Sequence, residues 1–234
     1  IYYGNGLFVA VGGDNGTILT SPDGTTWAKR NSGTSNDLYG LTYGNGLFVA
    51  VGDNGTILTS PDGSTWGKRN SGTSEEFLGV TYGNGIFLTI GLDGNILISP
   101  DGTTWTEGFY ENSYSYGFFK AATYGNGLFV TVSKNGAIQT SPDGTTWTER
   151  TSGISNRLYG VTYGNGLFVT VGNQGTILTS SDGSSWTYRT SGIGDHNRGC
   201  SLYTSDAADE EDSGQIGGRS IIMNTNKEFL SSTS

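Results

Sequence analysis

Between Trp105 and Tyr124 the sequence carries Glu107, Phe109, Tyr110, Glu111, Tyr114, Tyr116, Phe118 and Lys120, and here its capacity for chemistry is concentrated. Tyrosine faces beside carboxylates suit a sugar or peptide platform, because flat rings stack while hydroxyl tips hydrogen-bond. Glu107 and Glu111 are the unshared carboxylates nearest these aromatics, so an acid/base pair of the glycosidase kind would have to use them. The competing reading is a long loop packing its own aromatic side chains. Lys120 is the sharper oddity. Aligned with the sibling repeats it replaces Tyr39, Leu78 and Tyr159, where a lysine either meets an anionic ligand or extends its ammonium to solvent along its own stem.

A second set recurs instead of standing alone. Arg30, Arg69, Arg150 and Arg189 each follow a tryptophan by three residues, and Gly108 takes that place in the third repeat. They read either as a ring of cations for an acidic glycan or as charges that protect an outer strand from edge pairing.

The elements that position these residues come from one repeated turn. Ser60-Pro61-Asp62-Gly63-Ser64-Thr65-Trp66 returns around Asp23 and Trp27, Asp101 and Trp105, Asp143 and Trp147, and Asp182 and Trp186. The carboxylate is expected to accept the backbone N–H groups two and three residues on, and the following glycine to supply the positive φ that reverses the chain. Tyr-Gly-Asn-Gly, a hairpin turn of the Asn-Gly kind, starts repeats at Tyr3, Tyr43, Tyr82, Tyr124 and Tyr163. In the second repeat the pattern predicts strands over 38–42, 47–51, 56–59 and 66–69.

Leu47 to Val51 is apolar at every position, so its strand must be covered on both faces. Radial stacking of four-stranded sheets meets that need, and the fold class predicted is an all-β propeller with five visible blades of about 40 residues. Either the five close a ring or they belong to a larger one. Gly40, Gly79, Ala121 and Gly160 suit a crowded inner strand. Each tryptophan is expected to be wedged between sheets, hiding about 150–250 Å², worth on the order of 4–6 kcal/mol per blade before entropy.

The repeated Ser-Pro-Asp-Gly-Thr-Thr-Trp resembles the Asp-box, or BNR, repeat of sialidase-like and sortilin-like propellers, from Tyr3 to about Ile193. It departs from that pattern in one respect. The family has a residue between Asp and Gly and places Trp one step later, which leaves the blade intact but loosens descent from any one enzyme family. The resemblance implies that the boxes are structural and lie on the face opposite the binding site. It also implies what a sialidase would need: an arginine triad converging on one carboxylate, and a tyrosine nucleophile supported by a glutamate. Arginines that repeat with the blades point outward and do not converge.

A net charge of −9 and no clustered Lys or Arg argue against nucleic acid or an anionic membrane as partner, and no run reaches a membrane span. One cysteine, Cys200, and one histidine, His196, provide neither a disulfide framework nor a Cys/His zinc site. No cofactor or metal is expected. The chain begins at Ile1 inside a repeat, so it reads as a fragment, with any targeting signal out of view.

The repeat signal ends at Ile193. Cys200 to Glu210 and Ser213 to Ile222 resemble the translation of a transposase-based sequencing-library adapter, so 194–234 is set aside as a non-repeat tail lacking native structure; an acidic natural tail is the alternative. The expected function is a non-catalytic binding or scaffold module, exported by a bacterium to its surface or medium. It would recognise carbohydrate or protein on the loop face, through Glu107, Phe109, Tyr110, Glu111, Tyr114, Tyr116 and Lys120. A fragment of a sialidase-like glycoside hydrolase and a plain spacer are the alternatives.

Overall fold

The computed structural model describes residues 1–13, 15–92, 94–108 and 118–190. Turns every few residues cut the chain into short antiparallel strands. The first blade is β1 (Tyr2–Gly4), β2 (Leu7–Gly12), β3 (Thr17–Ser21) and β4 (Ala28–Arg30). The second is β5 (Leu38–Gly44), β6 (Leu47–Gly52), β7 (Thr56–Ser60) and β8 (Gly67–Arg69). The third is β9 (Phe77–Gly83), β10 (Ile86–Gly91), β11 (Ile96–Ser99) and β12 (Thr106–Gly108). The fourth is β13 (Phe119–Gly125), β14 (Leu128–Ser133), β15 (Ile138–Ser141) and β16 (Thr148–Arg150). The fifth is β17 (Leu158–Gly164), β18 (Leu167–Gly172), β19 (Ile177–Ser180) and β20 (Thr187–Arg189). Each blade is an antiparallel meander in chain order.

The apolar strands are buried on both sides, as the unbroken hydrophobic run of β6 requires. Successive side chains leave a strand on opposite faces. Phe48 and Ala50 therefore join Val9 and Ile18 of the first blade, while Val49 and Val51 join Phe77 and Phe87 of the third. Two further clusters couple the third blade to the fourth through Ile90 and Phe129, and the fourth to the fifth through Val132 and Phe168. The core is thus four seams between consecutive blades.

Phenylalanine, not tryptophan, fills the depth of each seam. Phe48, Phe87, Phe129 and Phe168 are completely buried. Trp105 alone among the tryptophans reaches the buried class, at 9% exposure, and Trp27, Trp66, Trp147 and Trp186 are half-buried. The expected wedge holds in part: Trp105 belongs to the cluster between the second and third blades, and Trp66, Trp147 and Trp186 pack against the other three, short of their full depth. Trp66 precedes β8 instead of opening it, and its Nε1–H donates to the Gly63 carbonyl at 2.9 Å. That bond holds the indole at the end of the blade, 6.5 Å from the Phe48 ring. The burial energy assigned to each indole from sequence belongs largely to the phenylalanine behind it.

The Asp-centred turns form as expected. Asp62 Oδ1 accepts from the N–H groups of Ser64 and Thr65, both at 2.8 Å, and from the Ser60 hydroxyl at 2.9 Å. The same three bonds recur at Asp23, Asp101, Asp143 and Asp182. These turns share one face with the Tyr-Gly-Asn-Gly hairpins, and Asn84 of the third blade donates to the Pro142 carbonyl of the fourth at 3.1 Å. The linkers between blades lie on the opposite face beside the turns after each second strand; the Gly55 N–H donates to the Glu75 carbonyl at 2.7 Å.

Candidate binding site at the channel mouth

Four inner strands carry the same irregularity. In β5, Leu38 pairs with Gly52 and Gly40 with Val51, so Tyr39 is an extra residue without a cross-strand partner. β9 repeats this at Leu78, β13 at Lys120 and β17 at Tyr159. An extra residue of this kind re-aims its side chain and bends the strand. Here the four side chains are aimed inward. Tyr39, Leu78, Lys120 and Tyr159 line a central open cavity of about 460 Å³ to which all five blades contribute residues.

Close packing behind the cavity keeps it in shape. A Cβ on Gly40 would lie 2.9 Å from the Gly79 Cα and 3.0 Å from the Val80 nitrogen, so the small residues expected near the axis are required where β5 meets β9. The linker that leads into each inner strand is fixed in turn. Asn36 Nδ2 donates to Thr56 Oγ1 at 2.8 Å, and Asn156 Nδ2 to Thr176 Oγ1 at 2.9 Å. The Asp37 carboxylate accepts the Asn15 N–H of the first blade at 3.2 Å.

The mouth is electrically uneven. Tyr39, 44% exposed, has its hydroxyl pKa pushed up to about 12 by desolvation, by hydrogen bonding to Asp53 and by the charges of Asp53, Glu76 and Asp37. Desolvation also raises the Glu76 carboxyl, with Asp53 adding to the rise and Lys120 opposing it. The Lys120 ammonium is pulled below its ordinary value by desolvation and then by Lys134, with Glu76 opposing. Lys134 stands 5.2 Å above the ring of Phe118, within reach of a cation–π interaction.

The residues singled out in the sequence do not share one place. Lys120 lies in the cavity. Glu107 is exposed on β12, the outermost strand of its blade, where it pairs with Leu97, and the fold does not bring it to the channel. Phe109, Tyr110, Glu111, Tyr114 and Tyr116 lie outside the described residues. Asp23, Asp62, Asp101, Asp143 and Asp182 hold turns on the far face. Among the described residues no group of three His, Cys, Asp or Glu is arranged to hold a metal ion. The sequence aligns these four positions with one another but does not show the bulge that re-aims them. The bulge shows in the structure as a seven-residue β5 paired with a six-residue β6.

Five radial four-stranded sheets around a lined channel define a β-propeller. No family model and no curated protein sequence matches the chain, whereas solved structures do. A YCF48 structure with a bound D1 peptide matches over 80% of this chain and 64% of its own, at 20% identity and a TM-score of 0.62. YCF48 from Cyanidioschyzon merolae matches over 65% of this chain and 56% of its own, at 20% identity and TM-score 0.53. A nidogen/laminin complex matches over 78% of this chain and 76% of its own, at 15% identity and TM-score 0.58. The chain thus spans less than two thirds of either YCF48 structure. At these identities the likeness is one of fold.

Proposed function

We propose that this chain is a non-catalytic binding propeller that takes a polypeptide on its linker face. One observation carries the reading: each of four blades contributes a single re-aimed side chain, Tyr39, Leu78, Lys120 or Tyr159, to one concave site. The backbone behind them is alike from blade to blade, while the four side chains are of three kinds. A rigid scaffold presenting variable positions is how a recognition surface is built. The neighbouring propellers support the choice of polypeptide, since one holds a D1 peptide and another belongs to a nidogen/laminin complex. The Ser–Asp–Trp turns are then Asp-box-like fasteners on the opposite face, set apart from binding.

The site offers two tyrosine faces, one aliphatic side chain and one ammonium, which suit stacking, apolar contact and a single ionic contact. The test is a side-by-side peptide and glycan array, probed with the wild-type chain and with Tyr39→Ala/Tyr159→Ala. Peptide retention that falls at least tenfold in the double variant, at unchanged melting temperature, is the expected result. Retention of glycans alone, or peptide binding indifferent to the double substitution, would overturn the assignment.

A further inference from the structure

The charged residues of this protein are sorted, and the sorting identifies a class of partner. Nine Lys and Arg fall among the described residues. Six of them, Lys29, Arg30, Lys68, Arg69, Arg150 and Arg189, lie on the outermost strands β4, β8, β16 and β20. The other three, Lys120, Lys134 and Arg157, belong to the linker-face ends of the fourth and fifth blades.

The carboxylates divide in the same way. Five hold the Asp-centred turns, and Glu107 and Glu149 lie on outer strands. Those that remain among the described residues are Asp37, Asp53, Glu75 and Glu76, all in the linkers and turn at the linker-face ends of the second and third blades. Among the described residues the linker face therefore has an acidic arc over two blades and a basic arc over the next two.

Solvation alone does not call for this segregation. A face charged for solubility mixes its signs, because like charges held together repel and opposite charges interspersed attract. Here Glu76 and Lys120, on either side of the boundary between the arcs, feel each other's charge, while Lys120 also bears the repulsion of Lys134. A concave mouth with low-dielectric walls focuses such a field across its width.

Resting on the reading of this face as a polypeptide site, we propose that the rim selects an extended segment whose charges are blocked by sign. Its acidic part lies toward Lys120, Lys134 and Arg157, and its basic part toward Asp37, Asp53, Glu75 and Glu76. Tyr39 and Phe118, 44% and 42% exposed, supply one aromatic face to each arc, against which the stems of long charged side chains pack. Neutral glycans carry no charge to pair with either arc, and uniformly charged ones satisfy one arc while facing repulsion from the other.

The experiment uses the full chain and four peptides of equal length in a fluorescence-anisotropy titration. One peptide has acidic residues in one half and basic in the other; the second has the same composition with signs alternating; the third is all acidic and the fourth all basic. The blocked peptide is expected to bind at least tenfold more tightly than the alternating one, and salt near 0.5 M should erase the difference, since screening then acts within about 4–5 Å. Lys120→Glu/Lys134→Glu should remove the preference while circular dichroism and melting stay unchanged. Glu75→Gln/Glu76→Gln, which adds no charge, should weaken it and serves as the second test should the first variant not fold.

Equal binding of blocked and alternating peptides would overturn the charge pairing and leave the polypeptide reading standing. Binding of no peptide by a folded chain would overturn both. Sedimentation showing that the chain dimerises rim to rim, with one copy's acidic arc on the other's basic arc, would overturn the proposal in favour of self-association.

Discussion

Arg69 donates from Nε to Thr59 Oγ1 at 2.8 Å, across the outer hairpin of the second blade. Arg30 does the same to Thr20, Arg150 to Thr140 and Arg189 to Thr179. In the third blade both partners are gone: Ile98 occupies the threonine position and Gly108 the arginine position. The pair is present or absent as a unit. Gly108 also has a packing reason, because a Cβ there would sit 2.9 Å from the Gly144 carbonyl oxygen of the next blade. The repeating arginines are therefore ties between outer strands, and the alternative of a cation ring for a glycan loses its basis.

A double-mutant cycle on Thr59→Val and Arg69→Ala tests the tie. We expect a coupling of about 1 kcal/mol, below the range for a buried charge-assisted bond because the arginine is only half-buried. Urea melts of the four proteins give the number. In the third blade, Gly108→Arg should destabilise even when combined with Ile98→Thr, since the obstacle is the neighbouring backbone.

Gly44 presses on the ring of Tyr82, and a Cβ there would lie 2.1 Å from the Tyr82 Cγ. The hairpin glycines of three other blades meet the next blade's tyrosine in the same way: Gly4 on Tyr43, Gly83 on Tyr124 and Gly125 on Tyr163. Gly44→Ala should cost about 1–3 kcal/mol, the range for overpacking. Gly46→Ala is the control: it has φ +73 but open space around the added methyl, so its penalty comes from backbone strain alone. Thermal melts that rank Gly44→Ala at or below the control would refute the interblade stacking.

Much of this arrangement was legible in the sequence, for a physical reason. Asp62, Gly63 and Asn45-Gly46 each close local turns whose hydrogen bonds lie within a few residues, so their spacing fixed the strands to within two residues of β5 to β8. Apolar residues on both faces of Leu47 to Val51 required stacked sheets. Two things were not legible. The indole was taken for the core because of its area, whereas depth is decided by position along the strand, and Phe48 holds the deep position. The extra residue in four of the five inner strands was hidden because a bulge is a relation between two strands, visible only once Leu38 is seen opposite Gly52. The sequence sets Lys120 in line with Tyr39, Leu78 and Tyr159, and that register adds that all four are re-aimed to the mouth.

The Asp-centred turns make a prediction about acid. Asp143 has its carboxyl pulled down to about 2, chiefly by the N–H groups of Thr146 and then Thr145, and the other four are lowered by the corresponding amides. An unfolded aspartate titrates near 3.9. The unfolded chain therefore takes up protons first as pH falls, so these groups support the fold fully above about pH 4 and lose that support on descent toward pH 2. The melting temperature should be flat from about pH 8 to 5 and fall steeply below 4. Replacing Asp143 by Asn, which still accepts from the two amides but does not titrate, should make the acid limb shallower.

Tyr39 predicts the opposite limb. Its hydroxyl is raised to about 12 in the folded chain, by desolvation first and then by Asp53, Glu76 and Asp37, against about 10 for a free tyrosine. The folded state holds its proton after the unfolded state has lost it. The resulting support is complete below about pH 10 and is lost as pH rises toward 12. An ultraviolet titration of tyrosinate absorbance should show a late component that is missing in Tyr39→Phe and distinct from that of Tyr124, whose hydroxyl is also raised by desolvation. Asp53→Asn should move that component to lower pH, since it removes the nearest carboxylate while keeping the side chain's size. The shift should survive intact in Asp23→Asn, a change on the opposite face. If Tyr39 titrates with the bulk of the tyrosines, the hydroxyl is not held against the acidic arc, and the mouth lacks the geometry from which its selectivity was inferred.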